Sequence, residues 1–456
     1  MNRIAGRSWI VLVFVLILLA GTIFFLSEFV LNAEEWVYFP GSPHVYSGMK
    51  PERGVIADRD GTILLSLAGE DTYAVDPLVR QAMLHWIGDR DGNIATPFLE
   101  QYTRPMMGFD LVNGLYAYGN APGVMELTIS SKVQMTALEA LDGAKGTVAV
   151  YNYRTGEILC AVSAPTFDPD QIPDISMDPV KYEGVYLNRF TQVTYTPGSI
   201  FKVVTTAAAL EILPDLREQH FTCEGELEIG GGLVTCEYAH GGQTVEEALT
   251  NSCNCAYALI AQQVGGERLQ RYVEGFGITQ SLYFDGISTE EGFVEAADAP
   301  LHQLCWAGIG QYTNLVNPCQ YMTFMGAIAN DGTPVTPHVI GQITVGDTVT
   351  YDGESVTMDR IMSRATAEVL QEMMRRNVME KYGSEHFPGL TVCGKSGTAE
   401  KDGDAEANAL FSGFVMDEKY PLAFIVVVED GGYGANTCVP ILSQVLAACK
   451  EVLDAK

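Results

Sequence analysis

The chain has 456 residues, enough for two or three domains, and its 47% hydrophobic and 18% charged content belongs to a globular chain, not a disordered one. A formal net charge of −30 excludes nucleic acid as a partner and repels anionic lipid headgroups; its plain reading is solubility.

Trp9 to Leu26 carries no charge, and as a helix it runs roughly 27 Å, close to the thickness of a bilayer core. Arg3 and Arg7 precede it, and Glu28, Glu34 and Glu35 follow, which predicts a cytoplasmic N-terminus with the remainder outside. The stretch is longer than the apolar core of a cleavable signal, and Leu31-Asn32-Ala33 is a poor cleavage site. The expected organisation is a tail over 1–8, an uncleaved anchor over 9–27 and a linker over 28–50 containing Pro40-Gly41 and Ser42-Pro43.

Arg53-Gly54-Val55-Ile56-Ala57-Asp58-Arg59-Asp60-Gly61-Thr62-Ile63 and the residues to Ser66 read as a hairpin turning at Asp60-Gly61, with a surface ion pair at the turn. Residues 70–125 lack strong periodicity and are read as the body of a small accessory domain. From Leu127 the character changes. Ser131 to Leu141 is an amphipathic helix stopped at Asp142-Gly143, and two strands follow, Gly146 to Tyr153 and Glu157 to Ser163. Residues 164–193 read as loop.

The stretch Pro197-Gly198-Ser199-Ile200-Phe201-Lys202, running on to Leu210, reads as a turn followed by a helix apolar on nearly every face, hence buried. Ser199 and Lys202, three apart, lie on one face. A serine at a helix N-terminus sits beside unpaired N–H groups that suit a developing oxyanion, and a lysine in an apolar setting loses its proton readily. Nucleophile plus base is the sharp reading; an N-cap and a solvent-seeking lysine is the bland one. Ser252 and Asn254 follow where one helix ends or another begins, and both also suit capping. Gly308 to Met322 and on to Gly332 read as loop and apolar helix, and 341–358 as a short surface hairpin. Leu390 to Glu400 reads as a strand with small residues at its end, which lets a ligand backbone lie alongside it. Strands over 411–415 and 422–429 and a helix over 441–453 complete an α/β domain whose sheet uses both ends of the chain.

All ten cysteines lie from Cys160 onward. Cys223 and Cys236 flank Gly230-Gly231-Gly232, and a disulfide between them across a hairpin is one hypothesis; ten cysteines with no framework, in a reducing habitat, is the other reading. The Cys253/Cys255 and Cys305/Cys319 pairs lack metal-ligand company, and the seven histidines form no local cluster, so no zinc site and no cofactor are expected.

Ser199-x-x-Lys202, Ser252-x-Asn254 and Lys395-Ser396-Gly397-Thr398 occur in the order of the signature of penicillin-recognising serine acyltransferases. The chain resembles a class B penicillin-binding protein, a monofunctional peptidoglycan D,D-transpeptidase, over essentially everything after residue 50. Arg53-Gly54 with Asp58-Arg59-Asp60-Gly61, Leu127-Thr128-Ile129 with Gln134, Thr155-Gly156-Glu157, and Gly310-Gln311 with Pro318 resemble further family landmarks. Ser130 stands where the family usually has Asp, and a family Trp is absent near Leu410. The resemblance implies a transpeptidase domain over 127–456. Its serine β-lactamase/transpeptidase-like fold would have an antiparallel sheet flanked by helices and an all-helical subdomain. An accessory domain over 28–126 would precede it, with no room for a glycosyltransferase domain.

The same resemblance implies Ser199 as nucleophile and Lys202 as base, with Ser252 as proton relay oriented by Lys395. It implies Asn254 on the substrate amide, and Ser396, Gly397 and Thr398 binding the terminal carboxylate. The oxyanion hole would come from the backbone of Ser199 and Thr398. Its implied partners are stem peptides, β-lactams, the plasma membrane and a membrane glycosyltransferase of the wall machinery. A D,D-carboxypeptidase, a membrane-bound β-lactamase and a catalytically silent scaffold of a division or elongation complex are the alternatives.

Overall fold

Two sheets organise the fold. The structure, a computed structural model, describes residues 2–38, 46–47, 50–51, 54–67, 71–107, 109–110, 114–115, 123–400 and 406–455. Arg53 and the Pro40-Gly41 and Ser42-Pro43 pairs lie outside the described residues.

The first helix runs Asn2–Val37. Within it Gly6–Ala33 is long and apolar enough to cross a membrane, by length and composition. The helix therefore covers the first ten residues of the expected linker; 28–37 holds no proline and no glycine, and the helix's two glycines, Gly6 and Gly21, lie earlier.

The first sheet is five-stranded and antiparallel, in the order Ile158–Ala164, Gly146–Asn152, Leu422–Val428, Asn408–Val415, Val392–Ala399. The three inner strands are buried almost throughout, which is why their sequences read as continuous apolar runs. Alternate residues still serve separate layers. Val148 and Val150 pack with Leu442, Val445 and Leu446 of the closing helix Gly434–Asp454. Ala149 and Tyr151 face the other core, with Met322 and Met325 of the helix Pro318–Ala329. The period of 2 thus assigns each strand residue to one side of a three-layer sandwich.

The second sheet is six-stranded: Thr348–Asp352, Ile340–Val345, Gly123–Leu127, Val55–Ala57, Ile63–Ser66, Thr72–Tyr73. The hairpin expected over 341–358 is present, but not as a surface appendage. Its first strand pairs with Gly123–Leu127, so a late segment completes the sheet of the N-terminal region. Ile340 and Ile343 are fully buried there.

The turn at Asp60-Gly61 also differs from its expected surface ion pair. Asp58 is fully buried. It accepts from the backbone N–H groups of Asp60 and Thr62 and from both the N–H and the hydroxyl of Ser131. A carboxylate thereby sits on the positive end of the helix Ser131–Leu141, fastening the N-terminal sheet to the catalytic region. Ser130 donates to Asp60 beside it. Other helix starts are sealed locally: Thr244 and Glu247 form a reciprocal capping box, and Asn317 caps a helix with Pro318 at its first position.

Candidate active site

The Gly198–Phe201 turn leads directly into the buried helix Lys202–Ile212. Gly198 adopts a φ of 54°, and a Cβ there would lie 2.5 Å from the Thr398 carbonyl oxygen. Only glycine allows this turn to press against the Val392–Ala399 strand. The Gly198 N–H donates to the Gly310 carbonyl at 2.9 Å, and the Tyr321 hydroxyl donates to that of Ile200 at 2.7 Å. The nucleophile turn is therefore held from two sides.

Lys202 is fully buried, and its Nζ reaches four oxygens: Ser199 Oγ at 2.8 Å, Asn254 Oδ1 at 2.7 Å, the Ser252 carbonyl at 2.9 Å and Ser252 Oγ at 3.2 Å. Ser252 lies between the helices Val245–Thr250 and Asn254–Val264 with a φ of 52°. That left-handed conformation, costly for a serine, turns both its oxygens toward the lysine. Asn254 donates through Nδ2 to the Thr235 carbonyl at 2.8 Å, which fixes its carboxamide with Oδ1 toward Lys202.

The third segment is the strand Val392–Ala399, at the edge of its sheet with one strand partner among the described residues. Lys395 Nζ donates to Ser252 Oγ at 3.2 Å and to the Ser396 carbonyl at 2.8 Å. Gly397 lies against the Pro197 carbonyl, where a Cβ would stand at 2.7 Å. Ser396 and Thr398 are half-buried along the same strand.

Burial dominates the electrostatics. Desolvation pushes Lys202 well below the ordinary lysine range, and the Lys395 charge pushes it further. Desolvation takes Lys395 down to about 7. The site therefore holds an amine poised to accept a proton beside a hydroxyl, and a second amine within reach of an incoming anion.

The structure brings Ser199, Lys202, Ser252, Asn254 and Lys395 into one hydrogen-bonded group, with Ser396, Gly397 and Thr398 continuing along the strand from Lys395. Sequence reasoning missed three contributors. The Tyr382 hydroxyl lies 3.0 Å from Ser396 Oγ and accepts from the Ser396 N–H at 3.1 Å and from Lys395 Nζ at 3.5 Å. Burial raises its pKa. Asn377 accepts from Thr250 and donates to the Gly394 carbonyl, tying the second motif to the third. Tyr257 puts its ring 5.7 Å from Lys202 Nζ, and its hydroxyl pairs with Thr206 at 2.6 Å. No local signal in the sequence marks Tyr382 or Asn377.

The cysteine expectations need correcting. Cys223 and Cys236 are both free thiols, not a bridge. Cys223 Sγ lies 3.4 Å from His240 Nδ1, while Cys236 Sγ lies 3.8 Å from Cys253 Sγ. Cys253, expected to lack company, belongs with Cys223, Cys236 and His240 to a group whose ligand atoms all lie within 4.8 Å of one another. These residues come from a folded hairpin and a helix start, so their spacing hid them.

The penicillin binding protein transpeptidase domain family matches residues 146–447. Stage V sporulation protein D of Bacillus subtilis is 30% identical over 83% of this chain and 59% of its own length. The peptidoglycan D,D-transpeptidase PbpA of Mycolicibacterium smegmatis is 29% identical over 72% of each chain. The chain thus spans a little under three fifths of the first relative and more of the second. Among solved structures, the D,D-transpeptidase domain of a peptidoglycan glycosyltransferase from Eggerthella lenta aligns with a TM-score of 0.74 at 25% identity, over 88% of this chain and 98% of that one. Penicillin-binding protein A of M. tuberculosis, as a ceftriaxone acyl-enzyme complex, aligns at 0.76 and 23% identity over 87% and 98%, a likeness of fold.

Proposed function

The chain belongs to the penicillin-binding protein transpeptidase family, as a class B member, and from that premise we propose that it is a peptidoglycan D,D-transpeptidase working through a Ser199 acyl-enzyme. The observation that carries the residue roles is the 2.8 Å contact between Ser199 Oγ and the Nζ of a buried Lys202 whose charged form is disfavoured.

Neutral Lys202 takes the Ser199 proton as Oγ attacks the carbonyl carbon of the penultimate D-Ala of a stem peptide. Backbone N–H groups of Ser199 and Thr398 receive the developing oxyanion. Ser252, between the two amines, hands a proton to the departing terminal D-Ala, and the acyl–Oγ ester remains. Lys395 supplies positive charge, and Ser396 and Thr398 supply hydroxyls, to the terminal carboxylate. Asn254 holds Lys202 and meets the substrate amide. An acceptor amine from a neighbouring strand then attacks the ester, releasing Ser199 and forming the cross-link. β-Lactams resemble the D-Ala-D-Ala end and would acylate the same oxygen.

Arg3 and Arg7, at the start of the apolar helix, support a reading with the N-terminus in the cytoplasm and the catalytic region outside. A wall-building glycosyltransferase in the same membrane would supply the strands, and the boundary between an accessory domain over 28–126 and the transpeptidase domain falls near 127.

The test is covalent labelling with fluorescent penicillin: the natural chain labels and Ser199→Ala does not. Labelling that survives the substitution sinks the assignment. Cross-linked product from lipid-linked substrate, with D-Ala released, separates a transpeptidase from a carboxypeptidase and from a silent scaffold.

A further inference from the structure

We propose that Cys223, Cys236, His240 and Cys253 bind one zinc ion, and that this ion clamps the segment carrying Ser252 and Asn254. The pattern is C-x12-C-x3-H-x12-C. Cys223 ends the strand Phe221–Cys223, Cys236 follows the strand Gly232–Thr235, His240 precedes the strand Gly241–Gln243, and Cys253 caps the helix Asn254–Val264. Two small ribbons and a helix start converge on one point.

The geometry suits a tetrahedral ion. With Zn–S near 2.3 Å and Zn–N near 2.0–2.1 Å, the edges of a tetrahedron measure about 3.8 Å between sulfurs and about 3.6 Å from sulfur to nitrogen. Cys236 and Cys253 stand 3.8 Å apart, and Cys223 and His240 stand 3.4 Å apart. A disulfide needs about 2.05 Å between its sulfurs. Cys236 Sγ also lies 3.6 Å from Cys255 Sγ, so it has several thiol neighbours and a bond to none of them. Cys255 itself turns to the Val234 carbonyl and stands as a neighbour outside the ligand group.

The surroundings favour thiolate. The N–H groups of Asn254 and Cys255 point at Cys236 Sγ, at 3.2 and 3.4 Å, and that of Ala256 points at Cys253 Sγ at 3.4 Å. These are the unpaired donors of the first turn of the Asn254–Val264 helix, an 11-residue helix whose positive end faces the sulfurs. Such N–H···S contacts orient metal-bound cysteines and stabilise their charge. Three sulfurs and one imidazole form the donor set that zinc prefers in closed structural sites.

The cluster also reaches the chemistry. Cys253 sits between Ser252 and Asn254, and Thr235, next to Cys236, accepts from the Asn254 amide. The ion would fix both ends of the backbone that aims Asn254 Oδ1 and Ser252 Oγ at Lys202. It acts as a positioning element and touches no substrate.

The experiment takes the purified full chain, prepared under reducing conditions, and measures bound zinc by elemental analysis. About one zinc per chain is expected. Cobalt(II) exchanged into the stripped protein should give the tetrahedral d–d bands and the thiolate charge-transfer band of a Cys3His site. Cys223→Ser and His240→Ala, both away from the cleft, should lose the ion. Chelation should slow labelling by fluorescent penicillin by roughly 10–100-fold, with recovery on zinc addition. Zinc-free natural protein, a Cys236–Cys253 disulfide found in it by mass spectrometry, or zinc retained by Cys236→Ser would overturn the site. Unchanged labelling after stripping would overturn the clamping. Metal content is read without any acylation, so a failure of the transpeptidase reading leaves this test intact.

Discussion

Lys202 and Lys395 reach for the same oxygen: each nitrogen lies 3.2 Å from Ser252 Oγ. Two ammonium groups sharing one acceptor in a desolvated cleft repel each other, so burial and mutual charge both favour losing a proton. Lys202 must be neutral to act as base, whereas Lys395 must be charged to draw a carboxylate. The acylation rate should therefore rise as pH climbs through the Lys202 titration and fall as Lys395 loses its charge, from about 7 upward in the free enzyme. Lys395→Met removes the charge that depresses Lys202, so the acid limb should move to higher pH, alongside a lower maximum. A pH profile of penicillin acylation reads both, and an unmoved acid limb would show that the two amines are not coupled.

Lys202→Ala keeps the helix, since alanine is its best former, and removes only the base. The acylation rate should drop roughly 10²–10⁴-fold with Tm little changed. Asn254→Asp tests the same amine differently. A carboxylate would stand where Oδ1 now lies, 2.7 Å from Nζ, and would hold Lys202 charged. Its acid limb should shift upward, and at pH 7 the rate should fall at least ~10-fold. An Asp variant as fast as the natural chain would show that Lys202 is not the base.

A buried amine also costs stability. Lys395 falls from an ordinary 10.5 to about 7 in the folded chain. Between those values the unfolded chain binds the extra proton, so stability rises with pH across that window. Below about 7 both states are charged and the burial penalty is full. Lys395→Met should therefore stabilise the protein by ~1 kcal/mol or more, most strongly below pH 7, with the gain fading toward pH 10.5. Denaturant unfolding at pH 6 and pH 10 checks the sign; a gain larger at pH 10 would contradict it.

What the sequence disclosed, and what it hid, follows from range. Ser199 and Lys202 are three residues apart, and a helix brings such residues together without help. The buried strands were visible as apolar runs, and the stop after Ala329 as Asn330-Asp331-Gly332. The expected hairpin over 341–358 was legible as a hairpin, but its strand partner Gly123–Leu127 lies more than two hundred residues earlier, and no local pattern names it. Cys223 and Cys253 meet for the same kind of reason: a ribbon folds between them. Tyr382 reaches Ser396 through a wide turn over Val378–Tyr382 that no residue type announces. The helix runs on through Val37 into the expected linker because Glu28 and Glu34 end only its apolar part, not the helix.

Gly198 isolates geometry from chemistry. A φ of 54° and a Cβ 2.5 Å from the Thr398 carbonyl leave no room for alanine unless the turn backs away from the strand. That movement separates Ser199 from the Thr398 backbone, and a shift near 1 Å in a reacting group costs about 10²-fold. Gly198→Ala should slow acylation by that order while Gly275→Ala, with open space around it, leaves the rate unchanged. Equal rates for the two variants would show that the close approach of turn and strand has no part in catalysis.

Asp58 sits far from the cleft and should behave oppositely. Its carboxylate satisfies three backbone N–H groups, that of Ser131 buried, and the Ser131 hydroxyl. Asp58→Ala leaves those donors without an acceptor and removes a negative charge from the start of the Ser131–Leu141 helix. The loss should amount to ~2–4 kcal/mol. Asp58→Asn keeps one acceptor oxygen but cannot serve both the turn and the helix, so it should fall between. The acylation rate of the folded fraction should stay within a factor of about two, since no group in the cleft contacts Asp58 and distant sites act nearly additively. Thermal unfolding and penicillin labelling of the same samples separate the effects. A rate that fell with Tm fully preserved would place Asp58 in a path to the active site, not in the joint between the two sheets.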